Sequence, residues 1–241
     1  MGNADRVLSF REQVEGACFA VTNRHSGFSS SPYDGLNLAT HVGDDLATVA
    51  DNRRALSAEI GVPAIAWMDQ VHGADVAFVD APGSLPVADA LVTRTRGLAL
   101  AVLVADCTPV LVADPGAGVI GVAHAGRKGL ALGVVPALIA AMRSSGARTL
   151  VARVGPSICG RCYEVPLSLR EEVAAGVPEA RSVTRFGAPS LSIAAGVVAQ
   201  LVAGGADVNW LPGCSAESAG LYSYRRDGGR TGRYAGLVWL A

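Results

Sequence analysis

Three runs of Val, Leu and Ala, at 98–105, 110–113 and 119–123, pass through the middle of the chain almost without polar residues. None alternates apolar with polar positions, so each reads as a strand covered on both faces. Shorter apolar runs at Ala17–Thr22, 64–68, 76–79, 88–93, Leu150–Val154, 208–211 and 235–240 predict further strands. Helical spacing appears between them. Val49, Leu56 and Ile60 share one face of a segment that Asp44 or Asp45 can cap and Gly61 can close. Leu130, Val134, Leu138 and Met142 predict one helix over 130–142, with Pro136 placed in its first turn. Pro166 opens a helix reaching residue 175, and 191–202 forms another that ends at Gly204-Gly205. Residues 23–38, rich in Ser, Gly, Asn and Pro, read as a long loop. Strands and helices are interspersed, which predicts an α/β or α+β class with layered sheets.

Half of the 241 residues are hydrophobic and 17% are charged, enough for a sizeable core without disulfides. The formal net charge of -1 attracts neither nucleic acid nor anionic membrane, so neither partner is expected. The longest apolar candidate for a membrane span, 97–112, is interrupted by Asp106 and Pro109 and reads as two strands. Met1 to Asp5 lacks a basic region followed by an apolar one, and Arg6 stands where a myristoylation motif wants Ser or Thr. A cytoplasmic location is expected. Cysteines stand at 18, 107, 159, 162 and 214; the odd count reads as free thiols. Cys159 and Cys162 form a C-x-x-C, but no second C-x-x-C completes a zinc knuckle.

Candidate chemistry gathers at strand ends. His72 and His124, two of only four histidines, sit where predicted strands meet Gly-containing turns, and Cys107 directly follows a buried strand. Two imidazoles and a thiolate are a borderline-soft ligand set that suits zinc and leaves a fourth, catalytic position open. Spacing alone leaves two other readings standing: a nucleophilic Cys107 activated by His72 or His124, and three buried structural side chains.

A series of motifs then narrows the field. It comprises Asn37-Leu38 with His41-Val42-Gly43-Asp44, Asn52-Arg53, Asp69-Gln70-Val71-His72-Gly73 and Ala88-Asp89-Ala90-Leu91-Val92-Thr93. It continues with Ala105-Asp106-Cys107-Thr108-Pro109-Val110, His124-Ala125-Gly126, Gly155-Pro156-Ser157-Ile158, Cys162-Tyr163-Glu164-Val165, Ser223-Tyr224-Arg225-Arg226-Asp227 and Thr231-Gly232-Arg233. In this order, and over nearly the whole chain, they resemble the YfiH family, long labelled the multicopper polyphenol oxidase or laccase domain family. The resemblance implies a single catalytic domain over 1–241 with a layered α/β/β/α fold and mixed sheets, similar to a toxin deamidase. It implies zinc on His72, Cys107 and His124, phosphorolysis of adenosine, inosine, guanosine and methylthioadenosine, and deamination of adenosine.

Two departures from the family pattern stand out. Arg127-Lys128-Gly129 replaces Trp-Arg-Gly, and Cys159-Gly160-Arg161-Cys162 replaces Gly-Pro-Cys-Cys. For deamination, metal-activated water would attack the purine C6 with a carboxylate shuttling protons, and Asp106 or Asp75 is the expected shuttle. For phosphorolysis, the anion needs cationic or polar donors, expected from Arg24, Asn37, Arg127, Lys128 or Arg225. The partners expected are purine nucleosides and phosphate, with the chain a monomer or small homo-oligomer. Copper oxidation is the alternative that the family label brings, yet four histidines cannot build a trinuclear copper cluster beside a blue-copper site. A Cys107-dependent amide hydrolase, linked through the family to cell-wall precursor editing, is the other.

Overall fold

The computed structural model describes residues 7–241; the features read at residues 1–6 lie outside the described residues. The strands are β1 (Leu8–Val14), β2 (Ala17–Thr22), β3 (Ala64–Ala66), β4 (Val76–Phe78), β5 (Ala90–Thr93), β6 (Leu98–Val104) and β7 (Thr108–Asp114). They continue with β8 (Val119–Ala125), β9 (Leu150–Val154), β10 (Arg181–Val183), β11 (Pro189–Leu191), β12 (Ala206–Trp210) and β13 (Tyr234–Leu240). The helices are α1 (Leu46–Ile60), α2 (Arg127–Leu132), α3 (Val134–Ser144), α4 (Leu167–Gly176) and α5 (Ile193–Ala203).

Two sheets carry most of the strands. The first runs β1-β2-β13-β6-β3 and the second β12-β9-β7-β8-β5-β4. Both are mixed: β3 joins β6 in parallel, β4 joins β5 and β12 joins β9 in parallel, and the inner ladders are antiparallel.

The unbroken apolar runs now have a physical cause. Along β6, Leu98, Leu100, Val102 and Val104 pack between the two sheets, while Ala99, Ala101 and Leu103 pack with Leu56 and Ile60 of α1. Along β8, Ile120 and Val122 enter the intersheet core, while Val119, Ala123 and Ala125 pack with Val135 and Leu138 of α3 and Val197 of α5. Each face therefore meets an apolar layer, and each large side chain removed from water contributes about 1.5–3 kcal/mol. The result is the expected α/β/β/α layering: α1 outside the first sheet, the two sheets in the middle, and α3 and α5 outside the second.

Local signals set the edges of α1. The Asp45 carboxylate accepts the Thr48 N–H at 2.8 Å, and Gly61, at φ +71°, donates its N–H to the Ser57 and Ala58 carbonyls. Asp44 serves elsewhere, accepting from Ser29 and Asn37 in the loop that precedes α1.

Two expectations need correction. The helix over 130–142 is two helices, because Gly133 at φ +84° closes α2 by donating to the Gly129 and Leu130 carbonyls, and α3 restarts beyond it. Pro136 then falls in the first turn of α3, where its missing N–H costs nothing. Leu191 belongs to the β10–β11 hairpin rather than to α5. Finally, β1 joins the first sheet as an edge strand that its polar sequence did not announce. No described helix is long and apolar enough to cross a membrane.

Candidate active site

Cys107 lies in the short turn that carries the chain from β6 in the first sheet to β7 in the second. That turn is tight: Asp106 adopts φ +87°, a left-handed conformation that costs a non-glycine residue about 1–3 kcal/mol unless its surroundings enforce it. They do. Its carboxylate accepts the Ser215 hydroxyl at 2.6 Å and the Arg225 N–H at 2.7 Å, and its carbonyl accepts the Ile158 N–H at 3.0 Å. Asp106 thus ties the Cys107 turn to two distant loops.

His124 stands on β8, opposite Pro109 of β7 in the antiparallel register, so its backbone is set by the sheet. His72 comes from the loop after β3 and also has positive φ, at +63°. One buried carboxylate organises both. Asp89, fully inaccessible to solvent, accepts the backbone N–H groups of Val71, His72 and Gly73 at 3.2, 2.9 and 2.6 Å. It also accepts His124 Nδ1–H at 2.8 Å. Because an ionised carboxylate only accepts, Nδ1 carries the proton and Nε2 is left for the cavity. Burial alone would raise the Asp89 pKa, but the hydrogen bonds from His124, Gly73 and His72 hold it below the usual carboxylate value.

The donor atoms of His72, Cys107 and His124 all lie within 4.8 Å of one another. Cys107 Sγ is 3.9 Å from His72 Nε2, and the two imidazoles meet edge to face with centroids 4.7 Å apart. Donors sharing a tetrahedral zinc at about 2.0–2.3 Å stand about 3.3–3.7 Å from each other, so the Cys107–His72 pair fits one ion after a shift of a few tenths of an ångström and the whole set after shifts of at most about 1 Å. Gly126 leaves the room: a Cβ there would stand 2.9 Å from His72 Cδ2 and 3.1 Å from Cys107 Sγ. Burial opposes ionisation of the Cys107 thiol, yet the charge and hydrogen bonds of His124 and His72 lower its pKa to about 6. Burial likewise opposes a charged His124, but Cys107 and Asp89 outweigh it and raise its pKa to about 9.

These groups open onto a cavity of about 470 Å³, the size of a small-molecule site. Arg127, Arg225 and Arg233 line it, as do Tyr163 and Tyr224. The Arg225 guanidinium lies 5.1 Å from the Tyr163 ring centroid and donates to the Glu164 carbonyl at 3.1 Å.

Of the residues singled out in the sequence, His72, Cys107, His124, Asp106, Arg127 and Arg225 meet at this cavity. Arg24, Asn37, Lys128 and Asp75 do not line it. Arg24 stacks on Tyr222 and pairs with Asp34, and Asn37 is buried in a network with Ala39, Asp44 and the Arg233 N–H. Asn37 nonetheless serves the site, because it holds the backbone of Arg233.

His41, Gln70, Tyr163, Tyr224 and Arg233 also stand on the cavity wall, with Asp89 beneath it; all six belong to the motifs of the family resemblance, but the sequence alone assigns none of them a role. Asp89 had a signal: a carboxylate in an apolar strand needs several donors, and His124 is one of few candidates. Gln70 had none beyond its place in the His72 motif, since its amide pairs with both the N–H and the carbonyl of Leu103 at 2.8 Å, a partner remote in sequence.

Comparison with known proteins bears on the same chain. The family model described as "Multi-copper polyphenol oxidoreductase laccase" matches residues 18–241. Purine nucleoside phosphorylase SCO2081 of Streptomyces coelicolor is 55% identical, covering 97% of this chain and 100% of its own. Purine nucleoside phosphorylase Rv2149c of Mycobacterium tuberculosis is 46% identical, covering 91% of this chain and 90% of its own. Among solved structures, protein NMB0706 of Neisseria meningitidis superposes with TM-score 0.87 at 33% identity over 98% of this chain and 99% of its own. YlmD of Geobacillus stearothermophilus superposes with TM-score 0.85 at 31% identity over 93% of this chain and 92% of its own.

Proposed function

Because the chain belongs to the multi-copper polyphenol oxidoreductase laccase family, whose close relatives here are named purine nucleoside phosphorylases, we propose that it is a zinc-dependent purine nucleoside phosphorylase. It uses phosphate to release the free base and (thio)ribose 1-phosphate from adenosine, inosine, guanosine and methylthioadenosine, and it also deaminates adenosine. The observation that carries this reading is the convergence of the His72, Cys107 and His124 donors on a cavity with three arginines in its wall. When bound there, zinc supplies Lewis acidity and lowers the pKa of a water ligand. Two imidazoles and one thiolate would also suit a blue-copper centre, but no methionine lines the cavity and four histidines cannot add the trinuclear cluster that a copper oxidase needs.

In phosphorolysis a phosphate oxygen attacks the ribose anomeric carbon, the bond to the purine nitrogen breaks, and the base leaves with the electron pair and takes up a proton. Arg127 and Arg225 hold and orient the phosphate, since guanidinium groups match its geometry and charge. Tyr163 and Tyr224 offer aromatic faces to the purine. Asp89 keeps His124 in one tautomer. Asp106, with both carboxylate oxygens already accepting hydrogen bonds, acts as a positioning residue that fixes the Arg225 backbone rather than as a proton shuttle.

One observation favours a second reading, a thiol hydrolase: Cys107, His124 and Asp89 form a nucleophile–base–orienter series, and the thiol pKa is lowered to about 6. Chelation separates the two, because only the zinc enzyme loses activity with its metal. The test of the main reading incubates metal-quantified protein with adenosine, with and without phosphate. Adenine formed only with phosphate marks phosphorolysis, and inosine formed without phosphate marks deamination. Zinc-replete protein that forms neither product would overturn the proposal.

A further inference from the structure

A second group of potential ligands lies outside the cavity. Cys159, Cys162, Cys214 and Glu217 bring three sulfurs and a carboxylate within 4.8 Å of one another. Two loops supply them, joined by a parallel bridge between Ser157 and Cys214.

Each loop makes the same turn. The Cys159 carbonyl accepts the N–H groups of Cys162 and Tyr163 at 2.9 and 3.0 Å. The Cys214 carbonyl accepts those of Glu217 and Ser218 at 3.1 and 2.9 Å. C-x-x-C and C-x-x-E therefore face each other as two equivalent knuckles, each presenting the donors at its first and fourth positions. The Cys159 N–H points at Cys214 Sγ, 3.3 Å away, a backbone donor to a sulfur of the opposite turn. Gly160 lets the first of these turns pack against β10, since a Cβ there would clash with the Ser182 side chain.

The charges match as well. A divalent ion held by three thiolates and a carboxylate leaves two negative charges uncompensated. Arg185 donates to Cys162 Sγ at 3.4 Å and pairs with Glu217, and Arg161 stands 3.9 Å from the same carboxylate. Two guanidinium groups thus stand in the outer shell, where such groups orient and neutralise ligands.

We propose that Cys159, Cys162, Cys214 and Glu217 form a second, structural metal site that takes zinc in a closed tetrahedral shell. The ion would fasten the loop carrying Ile158 and Tyr163 to the loop carrying Ser215, whose hydroxyl holds Asp106. The role is that of a clamp behind the cavity wall, since all four tetrahedral positions are filled by the protein.

Elemental analysis of the full chain, purified under reducing conditions, tests this. Wild type is expected to hold two zinc equivalents, Cys107→Ala one, and the paired Cys159→Ser, Cys162→Ser variant one. A wild type with a single equivalent that disappears in Cys107→Ala would overturn the proposal. Should the paired variant fail to fold, the Cys107→Ala chain suffices: cobalt added to it should give thiolate-to-metal charge-transfer absorption of the strength three thiolates produce. Absence of that band, or a Cys159–Cys162 disulfide found by alkylation of the same sample, overturns it equally.

Discussion

Asp89 holds His124 and His72 at once: it accepts the imidazole Nδ1–H of the first and the backbone N–H of the second, at 2.8 and 2.9 Å. One carboxylate thereby fixes the aim of two donors that no local motif links. Asp89→Asn keeps the size but places an amide NH₂ against groups that need an acceptor. A drop of about 10–100-fold in zinc affinity is expected, with a parallel loss of activity at limiting metal. Metal titration of the folded variant measures it, and unchanged affinity would mean that His124 is oriented by the sheet alone.

Gly126 gives a sharper steric test. A methyl group there meets His72 Cδ2 at 2.9 Å and Cys107 Sγ at 3.1 Å. Gly126→Ala should therefore disturb the donor triangle while leaving the sheets intact, lowering activity by at least about tenfold with little change in Tm, as expected when reacting groups are misplaced by a fraction of an ångström. Activity equal to wild type would show that the His72 loop yields freely.

Metal removal should act on both proposed reactions. Dialysis against a strong chelator is expected to abolish phosphorolysis and deamination, and zinc added back to restore them. Cys107→Ala should be inactive under either condition. Full turnover by chelated protein would move the assignment to thiol chemistry at Cys107.

The cavity arginines divide by expected readout. Arg127→Ala should raise KM for phosphate while leaving phosphate-independent deamination nearly unchanged. The loss of one charge-assisted contact is worth about 1.5–3 kcal/mol, or about 10–150-fold in phosphate affinity. Equal losses in both reactions would assign Arg127 to the nucleoside instead.

Acid stability should depend on Asp114, at the end of β7. Burial tends to raise its pKa, but the N–H groups of Arg148, Ala117 and Thr149 outweigh burial and lower it. A carboxyl more acidic in the folded than in the unfolded chain adds stability above its ordinary value of 3.8, and that stability is lost as pH falls through the lowered value. Asp114→Asn should thus be less stable than wild type at neutral pH, and the gap should narrow below about pH 4. Urea unfolding at both pH values reads the difference, and a constant gap would assign the effect to packing.

What the sequence disclosed follows from how each signal is encoded. The strands β6, β7 and β8 were legible because burial on both faces removes every polar residue, leaving apolar runs that nothing else explains. The cap of α1 was legible because Asp45 and Gly61 act within a few residues of themselves. β1 was hidden by its Ser, Arg, Glu and Gln side chains, which suit an edge strand exposed on one face. Gly133 lies inside the helical spacing of 130–142 without interrupting it, and only its positive φ shows the break. His72, Cys107 and His124 announced themselves by chemistry. His41, Tyr224 and Arg233 stood in motifs but showed no role, because what brings them to the cavity is the path of loops whose anchors, such as Asn37 and Asp106, lie far away in sequence. The second cysteine group escaped for the same reason: its third and fourth members join only when the 157 and 214 segments pair.

The Cys107 turn also bridges two sheets whose facing sides are densely filled. Sliding one sheet past the other would drag the sulfur away from the imidazole on β8, so the Cys107–His124 pair inherits the rigidity of the whole sandwich. Of the residues proposed to meet the substrate, Arg225, Tyr163 and Tyr224 ride on irregular segments instead, while Arg127 opens α2. On the proposed function, reactivity is thereby decoupled from selectivity: the outer segments can be remodelled to admit a different nucleoside without moving Cys107 or His124.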